Sequence, residues 1–211
     1  MAKPFYGSLY LVASQEACGS RDILWVVEQA VKGGVDLVQL REKHLDTEQF
    51  IKVAVPLKEV LDKYGVPLII NDNIEAARKS NAYGMHVGNN DISPAEIKRA
   101  WPECGMVGYS IEYIEQLDNE QIQYTDYLGI SPVFNTPTKT DTVTEWGLEG
   151  IRLIRSLTYK PLVAIGNINS TNAYDVIKAG ADSLAVVSAI CAAINPAKAA
   201  EAIRNQIEKA L

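Results

Sequence analysis

The sequence lacks the features that would mark a membrane, secreted or nucleic-acid-binding protein. No apolar run approaches the roughly 18 residues that span a bilayer, and Met1 to Phe5 carry no basic segment followed by an apolar signal core. The 20 Lys and Arg residues are outnumbered by 26 Asp and Glu, whereas binding to phosphate backbones needs a surplus of positive charge. We therefore expect a soluble protein with no membrane or nucleic-acid partner.

Cysteine and histidine are also scarce. Cys18, Cys104 and Cys191 are odd in number and unpatterned in spacing, which fits neither a disulfide framework nor a zinc site and indicates a reducing, cytoplasmic location. They also lack a partner pattern for nucleophilic catalysis. Of the two histidines, His44 lies in a polar turn and His86 stands alone at a strand end, so we assign neither a catalytic role.

Short apolar segments alternate with longer amphipathic ones along the whole chain, whose 211 residues are 47% hydrophobic and can bury one substantial core. The predicted strands are 8–14, 37–42, 67–72, 84–88, 106–111, 127–134, 162–167 and 183–189. The predicted helices are 22–32, 47–64, 74–80, 94–100, 114–121, 148–157, 171–179 and 197–210. Pro56 should bend the second helix without dividing it.

Eight strand and helix pairs in about 200 residues predict a single (β/α)8 TIM barrel domain over residues 1–211. A doubly wound open sheet is the alternative. In a barrel, functional residues gather at the carboxyl ends of the strands, and polar residues follow seven of the predicted strands. These polar segments are 39–43, 71–73, 86–91, 108–110, 131–139, 166–167 and 187–188.

Asp72 and Asp91 follow neighbouring predicted strands, so their carboxylates could share one cation. Magnesium is the natural candidate, because it takes one or two protein carboxylates and completes its shell with water and substrate phosphate oxygens. Each Asp could instead cap the helix that follows it. Two carboxylates on adjacent strands favour the metal.

Cations stand beside this acidic pair. Arg41 could hold a phosphate through its planar fork, with Lys43 and Lys139 as point charges, or the three could belong to solvated surface ion pairs and loops. Residues 136–142 are rich in hydroxyls and suit either a substrate-covering loop or a simple connection. Gly166, Val187 and Ser188 fall where barrels bind phosphate through backbone N–H groups.

In this order the motifs resemble those of the thiamine phosphate synthase family, over nearly the whole chain. They are Val38-Gln39-Leu40-Arg41-Glu42-Lys43, Ile70-Asn71-Asp72, His86-Val87-Gly88-Asn89-Asn90-Asp91, Gly108-Tyr109-Ser110, residues 132–139, Ala164-Ile165-Gly166 and residues 185–190. The sequence departs from the family pattern at Asn89, Ser131 and Asn167, which stand where the family usually has Gln, Gly and Gly. Asn167 bears on how closely a phosphate approaches its turn.

The resemblance implies that hydroxymethylpyrimidine diphosphate is joined to hydroxyethylthiazole phosphate, with release of diphosphate. It implies that Mg²⁺ binds Asp72 and Asp91, and that Arg41, Lys43, Ser110 and Lys139 are catalytic. The implied pyrimidine diphosphate contacts are Gln39, Leu40, Arg41, Glu42, Lys43, Asn71, Ser110 and Lys139. The implied thiazole phosphate contacts are Thr136, Pro137, Thr138, Gly166, Val187 and Ser188.

The sequence bears on three rival functions, of which the first two remain open. A thiazole tautomerase of the same superfamily would not need the diphosphate site, and a non-catalytic phosphate-sensing barrel would not need the metal pair. A metal-dependent sugar-phosphate epimerase would need histidine ligands on several strands, and only His86 follows one. The expected partners are small phosphorylated substrates, and the sequence is also compatible with a homo-oligomer.

Overall fold

The computed structural model describes residues 7–135 and 144–211, in which eight parallel strands close into a barrel. The strands are β1 (Leu9–Ala13), β2 (Leu37–Leu40), β3 (Leu68–Asn71), β4 (Gly84–Val87), β5 (Met106–Ile111), β6 (Tyr127–Ile130), β7 (Leu162–Ile165) and β8 (Ser183–Val186). Each strand pairs with the next, and β8 pairs with β1. The predicted barrel is therefore confirmed, and the open-sheet alternative is wrong because no strand is left as an edge.

Helices follow the strands in the described ranges. They are α1 (Gln15–Cys18), α2 (Ile23–Lys32), α3 (Thr47–Asp62), α4 (Ile74–Lys79), α5 (Pro94–Ala100), α6 (Gly147–Leu157), α7 (Ala173–Lys178), α8 (Ser188–Cys191) and α9 (Pro196–Ala210). Helix α3 begins with a capping box formed by Asp46 and Gln49, and it continues through Pro56. None of the described helices is long and apolar enough to cross a membrane.

Three predicted segments differ clearly from the structure. Residues 114–121 were predicted as one helix, but two 3₁₀ helices, Ile114–Asp118 and Glu120–Tyr124, occupy this part of the chain. Asn119 separates them in an extended conformation, and its side chain accepts from the Gln121 N–H, which competes with a continuous helix. Two predicted strands were too long: strand 127–134 ends as β6 at Ile130, and strand 183–189 ends as β8 at Val186, with α8 beginning at Ser188.

Alternation along the strands divides the core into an inner and an outer part. The inner core fills the barrel with Tyr10, Val12, Leu37, Ile69, Met106, Tyr127, Val163 and Ala185. The larger outer core lies between barrel and helices and contains the intervening strand residues, such as Leu11, Leu40 and Ile70. Burying each large aliphatic side chain is worth about 1.5–3 kcal/mol, so both cores hold the strand ends in place.

Candidate active site

A cavity of about 540 Å³ opens at the carboxyl ends of the strands, within the usual size range of small-molecule sites. Ten of the predicted site residues line it. They are Gln39, Arg41, Lys43, Asn71, Asp72, Asp91, Ser110, Gly166, Val187 and Ser188. The predicted contacts Thr136, Pro137, Thr138 and Lys139 lie outside the described residues.

Asp72 sits in an uncommon backbone conformation directly after β3. Its φ is 60°, and the Asn73 N–H donates to the Asn71 carbonyl at 2.7 Å, which closes a three-residue turn around it. Asn73, and not Asp72, caps α4 by accepting from the Ala76 N–H at 2.8 Å. The capping alternative for Asp72 is therefore wrong, and its carboxylate lines the cavity.

The Asp72 carboxyl has charged neighbours of both signs. Its pKa is raised to about 6: burial raises it most, the Lys43 ammonium lowers it, and the adjacent Asp91 carboxyl raises it. The Lys43 Nζ lies 2.5 Å from the Asp72 carboxylate. Asp91 is fixed from the other side, because its carboxylate accepts from the Gly88 N–H at 2.8 Å. The two carboxylates thus form an oxygen-only site in which each side chain has one hydrogen-bonding partner.

This donor set fits magnesium better than zinc. No group of three or more His, Cys, Asp and Glu residues lies together anywhere in the described ranges, so zinc would lack its usual ligands. Two carboxylates beside an open cavity match a cation that keeps several waters and takes substrate phosphate oxygens. Burial is the main cause of the raised pKa of Asp72 and the Asp91 carboxyl adds to it; a shared cation would offset both by favouring the ionised form.

Alternation sorts the residues after β2 between the cavity and the outer core. The Arg41 N–H continues the sheet by donating to the Ala13 carbonyl at 2.9 Å. Its side chain lines the cavity and is paired with no carboxylate of residues 7–135 or 144–211. A half-buried guanidinium with no counterion among those residues is suited to an anionic ligand.

Leu40 and Glu42, two of the predicted substrate contacts, do not line the cavity. Leu40 is fully buried in the outer core. The Glu42 carboxylate accepts from the Gln15 N–H at 2.6 Å, and burial raises its pKa. Glu42 therefore ties the loop after β2 to the first turn of α1.

The far side of the cavity is formed by the segments after β7 and β8. Gly166 has a φ of 119°, and a Cβ there would lie 2.7 Å from the Pro132 Cβ, so the loop after β6 packs directly on it. Asn167 has a φ of 51°, a left-handed conformation that Asn tolerates better than most residues, which accounts for its standing in place of glycine. Val187 precedes α8, and the first N–H groups of a helix have no partner within it.

Several further polar residues that line the cavity were not predicted as functional, and Tyr10, His86 and Tyr127 are among them. Tyr10 and Tyr127 lie in short apolar strands, where an aromatic residue is usually core. The alternation of side chains along the strands could have identified Tyr10. It faces the inside of the barrel, as Gln39 does on the neighbouring strand.

A family profile described as thiamine monophosphate synthase matches residues 9–190, which includes all eight strands. The chain belongs to the thiamine monophosphate synthase family. It is 48% identical over 200 residues to the thiamine-phosphate synthase of Albidiferax ferrireducens, covering 95% of this chain and 91% of that protein. It is 44% identical over 205 residues to that of Leptospira biflexa, covering 94% and 96%.

A solved family structure has the same fold. The thiamine phosphate pyrophosphorylase of Pyrococcus furiosus superimposes with a TM-score of 0.87 at 29% sequence identity, covering 97% of this chain and 96% of the other. The residues that the family profile matches include the strands and strand ends that line the cavity.

Proposed function

We propose that this protein is a thiamine-phosphate synthase, a transferase that joins hydroxymethylpyrimidine diphosphate to hydroxyethylthiazole phosphate and releases diphosphate. The observation that carries this proposal is the juxtaposition of two carboxylates with two cations in one cavity. Asp72, Asp91, Arg41 and Lys43 converge there, as a metal-bound diphosphate requires. Family membership supports the choice of these two substrates.

The reaction needs the protein chiefly to position the two substrates and to stabilise the charge of the leaving diphosphate. The carbon–oxygen bond to diphosphate breaks with its electron pair on the departing oxygen, leaving a carbocation stabilised by the pyrimidine. The thiazole nitrogen then donates its lone pair to that carbon, and no proton need be transferred. A site rich in cations and amides suits this reaction, since catalysis comes from stabilising the leaving charge and holding both substrates in register.

The residues divide between the substrates by position. Arg41, Lys43 and Ser110 would face the departing diphosphate, and Gln39 and Asn71 would hold the pyrimidine. Gly166, Val187 and Ser188 would bind the thiazole phosphate largely through the backbone.

We further propose that the reaction depends on Mg²⁺, with Asp72 and Asp91 as its protein ligands. The bound cation would supply positive charge to the leaving diphosphate. Lys43 neutralises Asp72 in the free protein, so the same ammonium is at hand when diphosphate enters. The cysteines Cys18, Cys104 and Cys191 are free and buried, which supports a cytoplasmic location.

The test is diphosphate release by the purified protein with Mg²⁺. We expect release only when both substrates are present, and thiamine monophosphate in equal amount. Asp91→Ala should lower magnesium-dependent turnover by about 100-fold or more while the protein stays folded, because it removes half of the protein ligands. Thiazole isomerisation without diphosphate release would identify a tautomerase instead, and full activity of Asp91→Ala would refute the shared cation.

A matched control is Asp62→Ala. Asp62 is an exposed carboxylate that pairs with Lys58 at 2.6 Å on the surface of α3, outside the cavity. Its removal should leave both turnover and the magnesium requirement unchanged.

A further inference from the structure

We infer that Tyr10, Tyr127 and His86 are positioning residues that fix the direction in which the Ser110 hydroxyl donates its hydrogen bond. They form a relay, defined here as the five side chains linked from Gln39 to Ser110. The inference deepens the proposed function and rests on it only for the effect on turnover, because the direction of the bonds is a property of the free protein.

The relay is continuous across the inside of the barrel. The Gln39 Nε2 donates to the Tyr10 hydroxyl at 2.8 Å, and the two tyrosine hydroxyls lie 3.0 Å apart. The Tyr127 hydroxyl lies 2.9 Å from the His86 Nδ1, and the His86 Nε2 lies 2.9 Å from the Ser110 Oγ. These side chains come from five different strands.

Burial gives the relay a single direction. Tyr10 is 1% exposed, and its hydroxyl has two partners in the described part of the chain. The amide nitrogen of Gln39 can only donate, so the Tyr10 proton must go to Tyr127. A buried hydroxyl proton without an acceptor would cost about 1–3 kcal/mol.

The direction continues through the histidine. The Tyr127 oxygen accepts from Tyr10 and directs its own proton to the His86 Nδ1. A neutral imidazole that accepts at Nδ1 carries its proton on Nε2, from where it donates to Ser110. The Ser110 proton is then left to point into the cavity, toward the diphosphate oxygens of the proposed substrate.

Reversing the Gln39 amide would reverse every bond in the relay. If Oε1 faced Tyr10, the Tyr10 proton would turn to Gln39, and Ser110 would donate to His86. The Ser110 oxygen would then present only lone pairs to an anionic leaving group. The orientation of one buried amide thus determines whether the far end of the relay helps or opposes the departure of negative charge.

Two glycines make room for the relay. A Cβ on Gly108 would lie 2.1 Å from the Tyr127 Cζ and 2.5 Å from the His86 Nδ1. A Cβ on Gly129 would lie 3.0 Å from the His86 Cε1. The rings of His86 and Tyr127 are stacked, with centroids 5.5 Å apart. Burial also raises the pKa of both tyrosines, so each keeps the proton that the relay needs.

The decisive measurement is ¹⁵N NMR of the histidine ring nitrogens at pH 7.5 in the ligand-free protein. The chain has only two histidines, His44 and His86, so assignment is direct. We expect His86 to carry its proton on Nε2. In Gln39→Glu the carboxylate, once ionised, only accepts; at the high-pH end of a titration from pH 7.5 to 9 the relay should therefore reverse and Nδ1 should become protonated. A protonated Nδ1 in the parent, or a His86 spectrum in Gln39→Glu that is unchanged across this titration, would overturn the inference.

Turnover provides the second readout. Tyr127→Phe keeps the ring but removes the link, so kcat should fall by about 10-fold, while the KM for the pyrimidine diphosphate changes by less than about 2-fold. Tyr10→Phe should act in the same direction if Tyr127→Phe fails to fold. The matched control is Tyr109→Phe, whose hydroxyl donates to the Asn89 Oδ1 at 2.7 Å outside the relay. It should leave the His86 spectrum unchanged.

The two readouts separate this inference from the proposed function. If the parent lacks synthase activity but shows the expected His86 tautomer, the relay stands and the function fails. If the parent is a fully active synthase and kcat is unaffected by both Tyr127→Phe and Tyr10→Phe, the relay has no catalytic role and the inference fails.

Discussion

Replacing Asp72 with asparagine should stabilise the metal-free protein at neutral pH, because the folded protein holds this carboxylate at a cost. The pKa rises from the ordinary 3.8 to about 6, chiefly through burial. The folded state therefore binds protons more tightly than the unfolded state between these values. The carboxyl contributes stability that is fully present below about pH 4 and is lost as the pH rises through about 6.

The expected magnitude follows from the pKa difference and the exposure of the group. The interval from 3.8 to about 6 corresponds to about 3 kcal/mol at full strength. The side chain is 23% exposed and faces the Lys43 ammonium, so solvent screening reduces the expected gain to about 1–2 kcal/mol. Asparagine accepts the left-handed backbone at this position, so the turn itself should survive.

The assay is urea unfolding with chelator present, followed by tryptophan fluorescence, at pH 4.5 and pH 7.5. The free energy of unfolding of Asp72→Asn should exceed that of the parent by about 1–2 kcal/mol at pH 7.5 and by much less at pH 4.5. Added Mg²⁺ should reduce this difference, because it stabilises the parent. The control Asp62→Asn removes an exposed carboxylate and should change the free energy of unfolding by less than about 0.5 kcal/mol. Equal stability of Asp72→Asn and parent at pH 7.5 would refute the reasoning.

Two further substitutions test other parts of the site. Glu42→Gln should keep kcat/KM within about 2-fold in the diphosphate-release assay, because its side chain holds the Gln15 N–H and faces away from the cavity; a loss above 10-fold would mean that Glu42 contacts substrate. Gly166→Ala should raise the KM for the thiazole phosphate by about 10-fold or more and lower stability by about 1–3 kcal/mol, since the added methyl meets Pro132 in a left-handed conformation; an unchanged KM would place that phosphate elsewhere.

Strand parity and strand ends made much of the site predictable. Once the barrel was inferred, the carboxyl ends identified one face, and alternation placed Gln39, Arg41 and Lys43 on the inside. The same alternation argued against Leu40 and Glu42, which were included because they belong to one contiguous motif. The structure assigns both to other contacts.

What the sequence did not reveal depends on contacts between distant strands. Tyr10 and Tyr127 are 117 positions apart and look like ordinary core residues until their hydroxyls are brought together.

The start of α8 was missed for a local reason, because Ser188–Cys191 is short and apolar and has no side-chain cap. Periodicity cannot separate such a segment from the end of a strand.

The turn at Asp72 also limits how this site can be altered by protein engineering. A backbone held at a φ of 60° accepts glycine, asparagine and aspartate far more readily than other residues. Glutamate, the usual conservative exchange for a carboxylate ligand, would keep the charge but meet the backbone strain. Among all substitutions at position 72, we therefore expect only glycine, asparagine and aspartate to be well tolerated, and of these only aspartate carries the charge.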